Sequence, residues 1–314
     1  MRILVTGAGG FVGEYLLRHL LEHQHEVAAM GIGGGAFLKE MGVPSHEVDI
    51  LDVAAVESCM ETFCPEAVIH LAAISNVPLS WEKPGLTVDV NIHGTVNILQ
   101  TLYKVSSKAK FLSIGSSDEY GLAAKAGLPL TEEVPCRPQN PYSISKYAAE
   151  QMVLQIGKKY GMTVLHTRSF NHFGPGQAKG FVTTDFASQI AAIERGAQEP
   201  VIRVGDLTAA RDFTFVADVV RAYAALVEQE VPGGVYNICS GKAHTMQEIL
   251  DELLSLSPVK ISVEKDEARM RPSEVPFFVG DCAKLKKATG WEPRHDFHQG
   301  MRETLDYWRA RVAD

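Results

Sequence analysis

A chain of 314 residues with 46% hydrophobic and 22% charged residues can bury a full core in about two lobes, and its even mix excludes a disordered or fibrous protein. Its formal net charge of −8 argues against a nucleic-acid partner, so an anionic ligand has to meet local arginines. Cys59, Cys64, Cys136, Cys239 and Cys282 are scattered without a CxxC pair, which argues against a zinc site or a disulfide framework; we expect reduced thiols and no metal.

The chain opens on the apolar strand Ile3-Leu4-Val5, followed by Thr6-Gly7-Ala8-Gly9-Gly10-Phe11-Val12-Gly13 and an apolar-periodic helix. A glycine turn at a strand end lets backbone approach a pyrophosphate, and the N–H groups and positive dipole end of the next helix attract its charge. Gly7, Gly10 and Gly13 space as GxxGxxG, with Gly9 adding a GxG start. This is a dinucleotide clasp. No leader stands before the first strand and no apolar run approaches the roughly 20 residues that cross a bilayer. A cytoplasmic protein with no membrane partner is therefore expected.

Strand-like runs at 3–5, 27–30, 47–49, 67–72, 111–114 and 163–167 alternate with helices near 11–23, 53–63, 84–106 and 141–160. That alternation predicts an α/β fold with a doubly wound parallel sheet. Asn140 as N-cap and Pro141 in the first turn mark the start of the last helix. After about residue 169 loops separate shorter elements, as in Asn171-His172-Phe173-Gly174-Pro175-Gly176-Gln177. The expected division is a dinucleotide-binding unit over 1–168 with about 206–240, and a smaller α/β substrate unit over 169–205 with 241–314.

Tyr142 and Lys146 stand four residues apart in the early turns of that helix and so share one face. A tyrosine ionises near 10, and an adjacent ammonium favours the phenolate, bringing proton exchange with a substrate oxygen within reach. Ser116 follows the strand at 111–114 through Gly115. Parallel-sheet enzymes hold ligands beyond the carboxyl ends of their strands, where a serine hydroxyl can bind the oxygen that Tyr142 protonates. Each motif alone has a bland reading, a pair of helix-surface residues or a turn. Together, behind the clasp, they form a catalytic set.

With these residues the chain resembles the extended short-chain dehydrogenase/reductases, the family of nucleotide-sugar epimerases, dehydratases and reductases with a Rossmann sheet. The resemblance implies further cofactor contacts at Asp49-Ile50, at Leu71-Ala72-Ala73 after His70, and at Asn91, beside Gly7, Gly10, Phe11, Val12, Gly13, Tyr142 and Lys146. It also implies a homodimer through the helices near 84–106 and 141–160. Asn171-His172-Phe173-Gly174-Pro175-Gly176-Gln177, Gly180-Phe181-Val182-Thr183, Arg211-Asp212-Phe213 and Arg271-Pro272-Ser273-Glu274-Val275-Pro276 resemble the GDP-mannose branch of the family. That likeness implies a GDP-sugar substrate. Ser116, Ser117, Asn171, Val182, Arg211, Arg271 and Glu274 would seat it, with arginines suiting a diphosphate because they offer fixed donors and permanent charge.

Dehydratases of this branch carry Thr-x-Glu where this chain reads Ser116-Ser117-Asp118. The acid is a methylene short, and misplacing a base by about an ångström can cost on the order of a hundredfold in rate. Glu119, one residue on, is expected to point away. The resemblance therefore implies reduction of the C4 ketone of GDP-4-keto-6-deoxy-D-mannose to GDP-D-rhamnose, with GDP-mannose 4,6-dehydration or 4-epimerisation of a nucleotide sugar as alternatives. A non-catalytic cofactor-binding protein is disfavoured by intact Ser116, Tyr142 and Lys146. The segment Met30-Gly31-Ile32-Gly33-Gly34-Gly35 lacks the acid of NAD-selective relatives and the base of NADP-selective ones. NADP(H) is favoured, with NAD(H) accepted.

Overall fold

The computed structural model describes residues 1–267 and 275–311. The predicted alternation forms a seven-stranded parallel sheet from β1 (Arg2–Thr6), β2 (Glu26–Gly31), β3 (Ser45–Glu47), β4 (Ala67–His70), β5 (Lys110–Ser116), β6 (Val164–Ser169) and the later strand Gly234–Ile238. Across the sheet the order is Gly234–Ile238, β6, β5, β4, β1, β2, β3. Leu4, Val5, Val68, Ile69, Phe111 and Leu112 are completely buried, as expected for strands covered on both faces. Alternate residues feed two cores. Ile3, Val5 and Ile69 pack with helix α1 (Phe11–Glu22) and the helix Val216–Glu228, whereas Leu4, Val68 and Phe111 pack under the helices Val53–Phe63, Thr95–Val105 and Pro141–Tyr160.

The chain turns from one half of the sheet to the other between β1 and β4. A doubly wound sheet splays a crevice at this point, beyond its carboxyl ends. Gly7 lies at one lip and Leu71 at the other, with the Leu71 N–H donating to Thr6 O at 3.1 Å. A third core, including Phe173, Ile190, Ile249 and Leu305, supports the smaller strands beyond that crevice. No helix among the described residues is long and apolar enough to cross a membrane.

Three local departures from the sequence pattern have physical causes. The third strand is Ser45–Glu47 rather than 47–49, because Asp49 turns out of it and its Oδ1 accepts the Leu51 N–H at 2.9 Å. The strand expected over 67–72 stops at His70, where the chain leaves for the crevice. The helix expected near 84–106 is broken into Pro84–Val88, a π-helical turn Asp89–Gly94, and Thr95–Val105. Such turns carry an extra residue and often mark functional sites. Here the turn carries Asn91, buried and facing the loop after β4.

Candidate active site

One cavity of about 700 Å³ runs along the carboxyl ends of β1, β4, β5 and β6. At one end it is shaped by missing side chains. Gly7 has φ +67°, and a Cβ on it would stand 2.6 Å from the Ala72 backbone; a Cβ on Gly13 would stand 2.0 Å from Ala8 O. The first bars L side chains from this turn, and the second lets α1 seat directly on it. Gly10 is the N-cap of α1 and supplies no capping side chain, so the first N–H groups of the helix are left for a ligand. Phe11, Val12, Leu71, Ala72 and Ala73 complete this end of the wall. The cradle that a Cβ would fill fits a dinucleotide pyrophosphate.

Beyond it stand Ser116, Tyr142 and Lys146, all on the cavity wall. Asn140 caps the helix as predicted, its Oδ1 accepting the Ser143 N–H at 2.8 Å, and the Tyr142 N–H donates to Ser80 Oγ at 3.2 Å. These bonds place the phenol at the end of β5, on the same wall as Ser116. Lys146 is buried, and its Nζ donates to Ile114 O at 2.8 Å. Burial pulls the Lys146 ammonium down to about 8, opposed by Glu119. In the protein alone, burial raises the Tyr142 phenol above its ordinary value; Asp118 adds to the rise and the Ser116 hydrogen bond opposes it. The expected depression of this phenol by Lys146 is thus not what the protein by itself produces, because desolvation outweighs a cation whose head is turned to a carbonyl.

At the other end the wall is made of side chains from dispersed segments. Asn171, Val182 and Arg211 meet there with Ser117 and Asp118, and a second cavity of about 380 Å³ shares Ser117, Asp118, Asn171 and Arg211 with the first. In the strand Ala210–Phe215, Arg211 and Phe213 face the cavity, while Asp212 between them points the other way. There its carboxylate accepts N–H groups from Ser240 at 2.8 Å and Gly241 at 2.9 Å. The segment 171–177, which begins as the short strand Asn171–Phe173, is clamped to α1. Phe11 stacks on His172 with centroids 6.3 Å apart, and Tyr15 Oη donates to Pro175 O at 2.9 Å. His172 lines the cavity.

Asp118 faces both cavities, and burial raises its carboxyl pKa against the pull of Arg211. Glu119 turns away as expected, fully buried, with its Oε1 accepting the Ser116 N–H at 2.8 Å.

Three expected contacts lie off the cavity wall. Asn91 Oδ1 accepts from the Ile74 N–H at 2.8 Å, and its Nδ2 donates to Ile74 O at 3.0 Å and Ser145 Oγ at 2.9 Å. It therefore ties the loop after β4 to the tyrosine helix with its polar atoms already engaged. Asp49 is exposed, and Ile50 is buried beneath Gly94, where a Cβ would meet its Cδ1 at 2.4 Å. Arg271 and Glu274 lie outside the described residues. Conversely, Thr183 and Phe213 line the cavity from motifs noted in the sequence, whereas Val77 and Met246 line it without a sequence signal.

The profile of a family described as GDP-mannose 4,6 dehydratase matches residues 4–304. The chain is 37% identical to GDP-6-deoxy-D-mannose reductase of Pseudomonas aeruginosa, over all of this chain and 99% of that one. It is 30% identical to GDP-mannose 4,6 dehydratase 1 of Arabidopsis thaliana, over 96% of this chain and 88% of that one. Among solved structures it is similar to RMD from P. aeruginosa complexed with NADPH, with a TM-score of 0.89 and 37% identity over 99% of both chains. It is also similar to the UDP-glucose 4-epimerase of Thermus thermophilus in complex with NAD, with a TM-score of 0.87 and 30% identity over 98% and 99% of the two chains.

Proposed function

The chain belongs to the GDP-mannose 4,6 dehydratase family, and from that premise we propose that it is the reductase of the branch, converting GDP-4-keto-6-deoxy-D-mannose to GDP-D-rhamnose with NADPH, NADH being accepted. The observation that carries this reading is the meeting of Ser116, Tyr142 and Lys146 on one cavity wall beside an acid shorter than an eliminating enzyme uses. The 37% identity to a GDP-6-deoxy-D-mannose reductase supports it, as does the NADPH bound to the similar P. aeruginosa protein.

With its pyrophosphate at the glycine cradle, a bound NADPH would supply the hydride. Tyr142 donates the proton that completes the alcohol, and its phenol, kept neutral by burial, holds that proton at working pH. Ser116 orients the substrate oxygen toward it. The Lys146 ammonium, tethered to Ile114 O, holds the cofactor ribose and offsets charge left on the phenol. Asn171 and the backbone at Val182 seat the sugar, Arg211 the diphosphate, and Arg271 with Glu274 the nucleoside. Asn91 belongs with the cofactor residues by positioning their loop, while Asp49-Ile50 would reach the adenine from the sheet edge.

We read residues 1–168 with about 206–240 as the cofactor unit, and 169–205 with 241–314 as the substrate unit. Trp81, Leu86, Val88, Ile144 and Met152 are exposed apolar residues on neighbouring helices. They support a homodimer across that face, which light scattering would show as twice the chain mass. Five free cysteines suit the reducing cytoplasm.

The deciding assay follows absorbance at the nicotinamide band with the ketosugar. The reductase consumes one NADPH per ketone reduced and yields GDP-D-rhamnose by mass and NMR. Consumption of GDP-mannose with no net cofactor oxidation would establish the dehydratase instead.

A further inference from the structure

Next to Ser116, between β5, β6 and the tyrosine helix, lies a buried cluster of charged groups. Glu119 closes the short turn Ser117–Glu119, with its Oε1 2.8 Å from the Ser116 N–H and 3.2 Å from His166 Nε2. Its Oε2 lies 3.7 Å from Arg168 Nε and has no hydrogen-bond partner, and His166 Nδ1 has none either. Both side chains are fully buried. Arg168 is committed elsewhere, holding both oxygens of Glu150 at 2.8 Å. Gly115 makes the arrangement sterically possible, since a Cβ there would stand 2.1 Å from His166 Nε2 and 2.3 Å from Glu119 Oε1.

An orphaned carboxylate oxygen in such a place is costly. A cluster with two carboxyls and one committed guanidinium has a spare negative charge whenever both carboxyls ionise. The remaining cation acting on Glu119 is Lys146. We propose that Glu119 is a positioning residue for the catalytic pair, fixing the Ser116 backbone through its N–H and, in its ionised form, holding Lys146 as the ammonium. The inference rests on the catalytic reading of Ser116 and Lys146 given above.

Burial pushes the Glu119 carboxyl up to about 7, and the Lys146 ammonium sits at about 8. The groups acting with or on Glu119 are Tyr142, Lys146, Tyr147 and Glu150 from the tyrosine helix, His166 and Arg168 from β6, and Cys136 from the loop before that helix. His166 does not supply the missing positive charge, because burial lowers it to about 3. The sign follows. Below about 7 Glu119 is protonated and leaves Lys146 unsupported; above that value it is ionised and raises the Lys146 pKa. Glu119 therefore extends the ammonium form to higher pH.

The test uses the full chain and E119Q, which keeps an acceptor for the Ser116 N–H but removes the charge. In ¹⁵N spectra from about pH 5.5 to about pH 9, spanning both groups, the wild-type Ser116 amide moves with a midpoint near 7 and the E119Q amide does not. In the NADPH-dependent assay the alkaline limb of kcat/KM moves down by about one pH unit in E119Q, the usual effect of losing a nearby opposite charge. A Ser116 amide that stays flat in the wild type, or an alkaline limb that E119Q leaves in place, overturns the proposal. Should E119Q not fold, the wild-type titration decides alone, a midpoint near 7 supporting the proposal and a flat amide ending it. The titration needs no substrate, so a failed ketosugar assay sinks the reductase reading without touching it.

Discussion

The two ends of the cavity are built on opposite principles. At the glycine end the wall is backbone, and what matters is the absence of Cβ atoms at Gly7 and Gly13, where they would stand 2.6 Å and 2.0 Å from neighbouring main chain. At the arginine end the wall is side chains, Asn171, Val182 and Arg211, drawn from a short strand, a helix and the longer strand that the first one pairs with. The helix side of the cradle is written in eight consecutive residues, Gly13 closing on Ala8, and its other side needs only the Ala72 backbone at the end of β4. A side-chain wall needs the third core around Phe173, Ile190, Ile249 and Leu305 to bring its parts together, so tuning it requires no change in the sheet.

The sharpest test falls at the junction, which belongs to neither end. Tyr142→Phe removes only the hydroxyl, so it should lower kcat by about 10²–10⁴-fold, the range of general acid catalysis, while NADPH and GDP binding by calorimetry stay close to wild type. Near-full turnover would remove Tyr142 from the chemistry. Gly7→Ala comes next. The new methyl faces the Ala72 backbone at a positive φ, so NADPH affinity should fall by about a hundredfold, or the melting temperature should drop by several degrees if the turn yields instead. A variant unchanged in both would mean that this end is not a backbone cradle.

Arg211→Ala should raise the KM for the GDP-sugar by about tenfold to a hundredfold, equivalent to losing a charge-assisted hydrogen bond or two, and leave NADPH affinity unchanged. Loss of NADPH affinity as well would erase the distinction between the ends. Smallest is Asn91→Ala, which removes the tie between the loop after β4 and the tyrosine helix. It should cost about 2 kcal/mol in denaturant unfolding, with at most a few-fold rise in the KM for NADPH. A much larger KM effect at unchanged stability would return Asn91 to direct cofactor contact.

Much of the fold was legible because its signals are local. The strand positions of β1, β2, β5 and β6, the N-cap at Asn140 and the glycine turn follow from periodicity, capping chemistry and the geometry of residues without Cβ. The departures arise where a partner distant in sequence decides the outcome. Asp49 leaves its strand for a turn, and the π-turn at Asp89–Gly94 carries Asn91 toward Ile74 and Ser145. His166 reads as an ordinary strand residue, yet it lies 3.2 Å from Glu119, 47 positions earlier. Nothing in either neighbourhood announces the pair, because register between β5 and β6 places them together.

By itself, then, the chain determined that a dinucleotide clasp opens a doubly wound sheet and that serine, tyrosine and lysine follow at its strand ends, since these depend on short-range sterics and helical spacing. Tertiary structure alone decided which charges lose their water. Burial raises the Tyr142 phenol that Lys146 was expected to lower, brings Lys146 to about 8 and lifts Glu119 to about 7. Desolvation depends on everything packed around a group, and no stretch of sequence contains that.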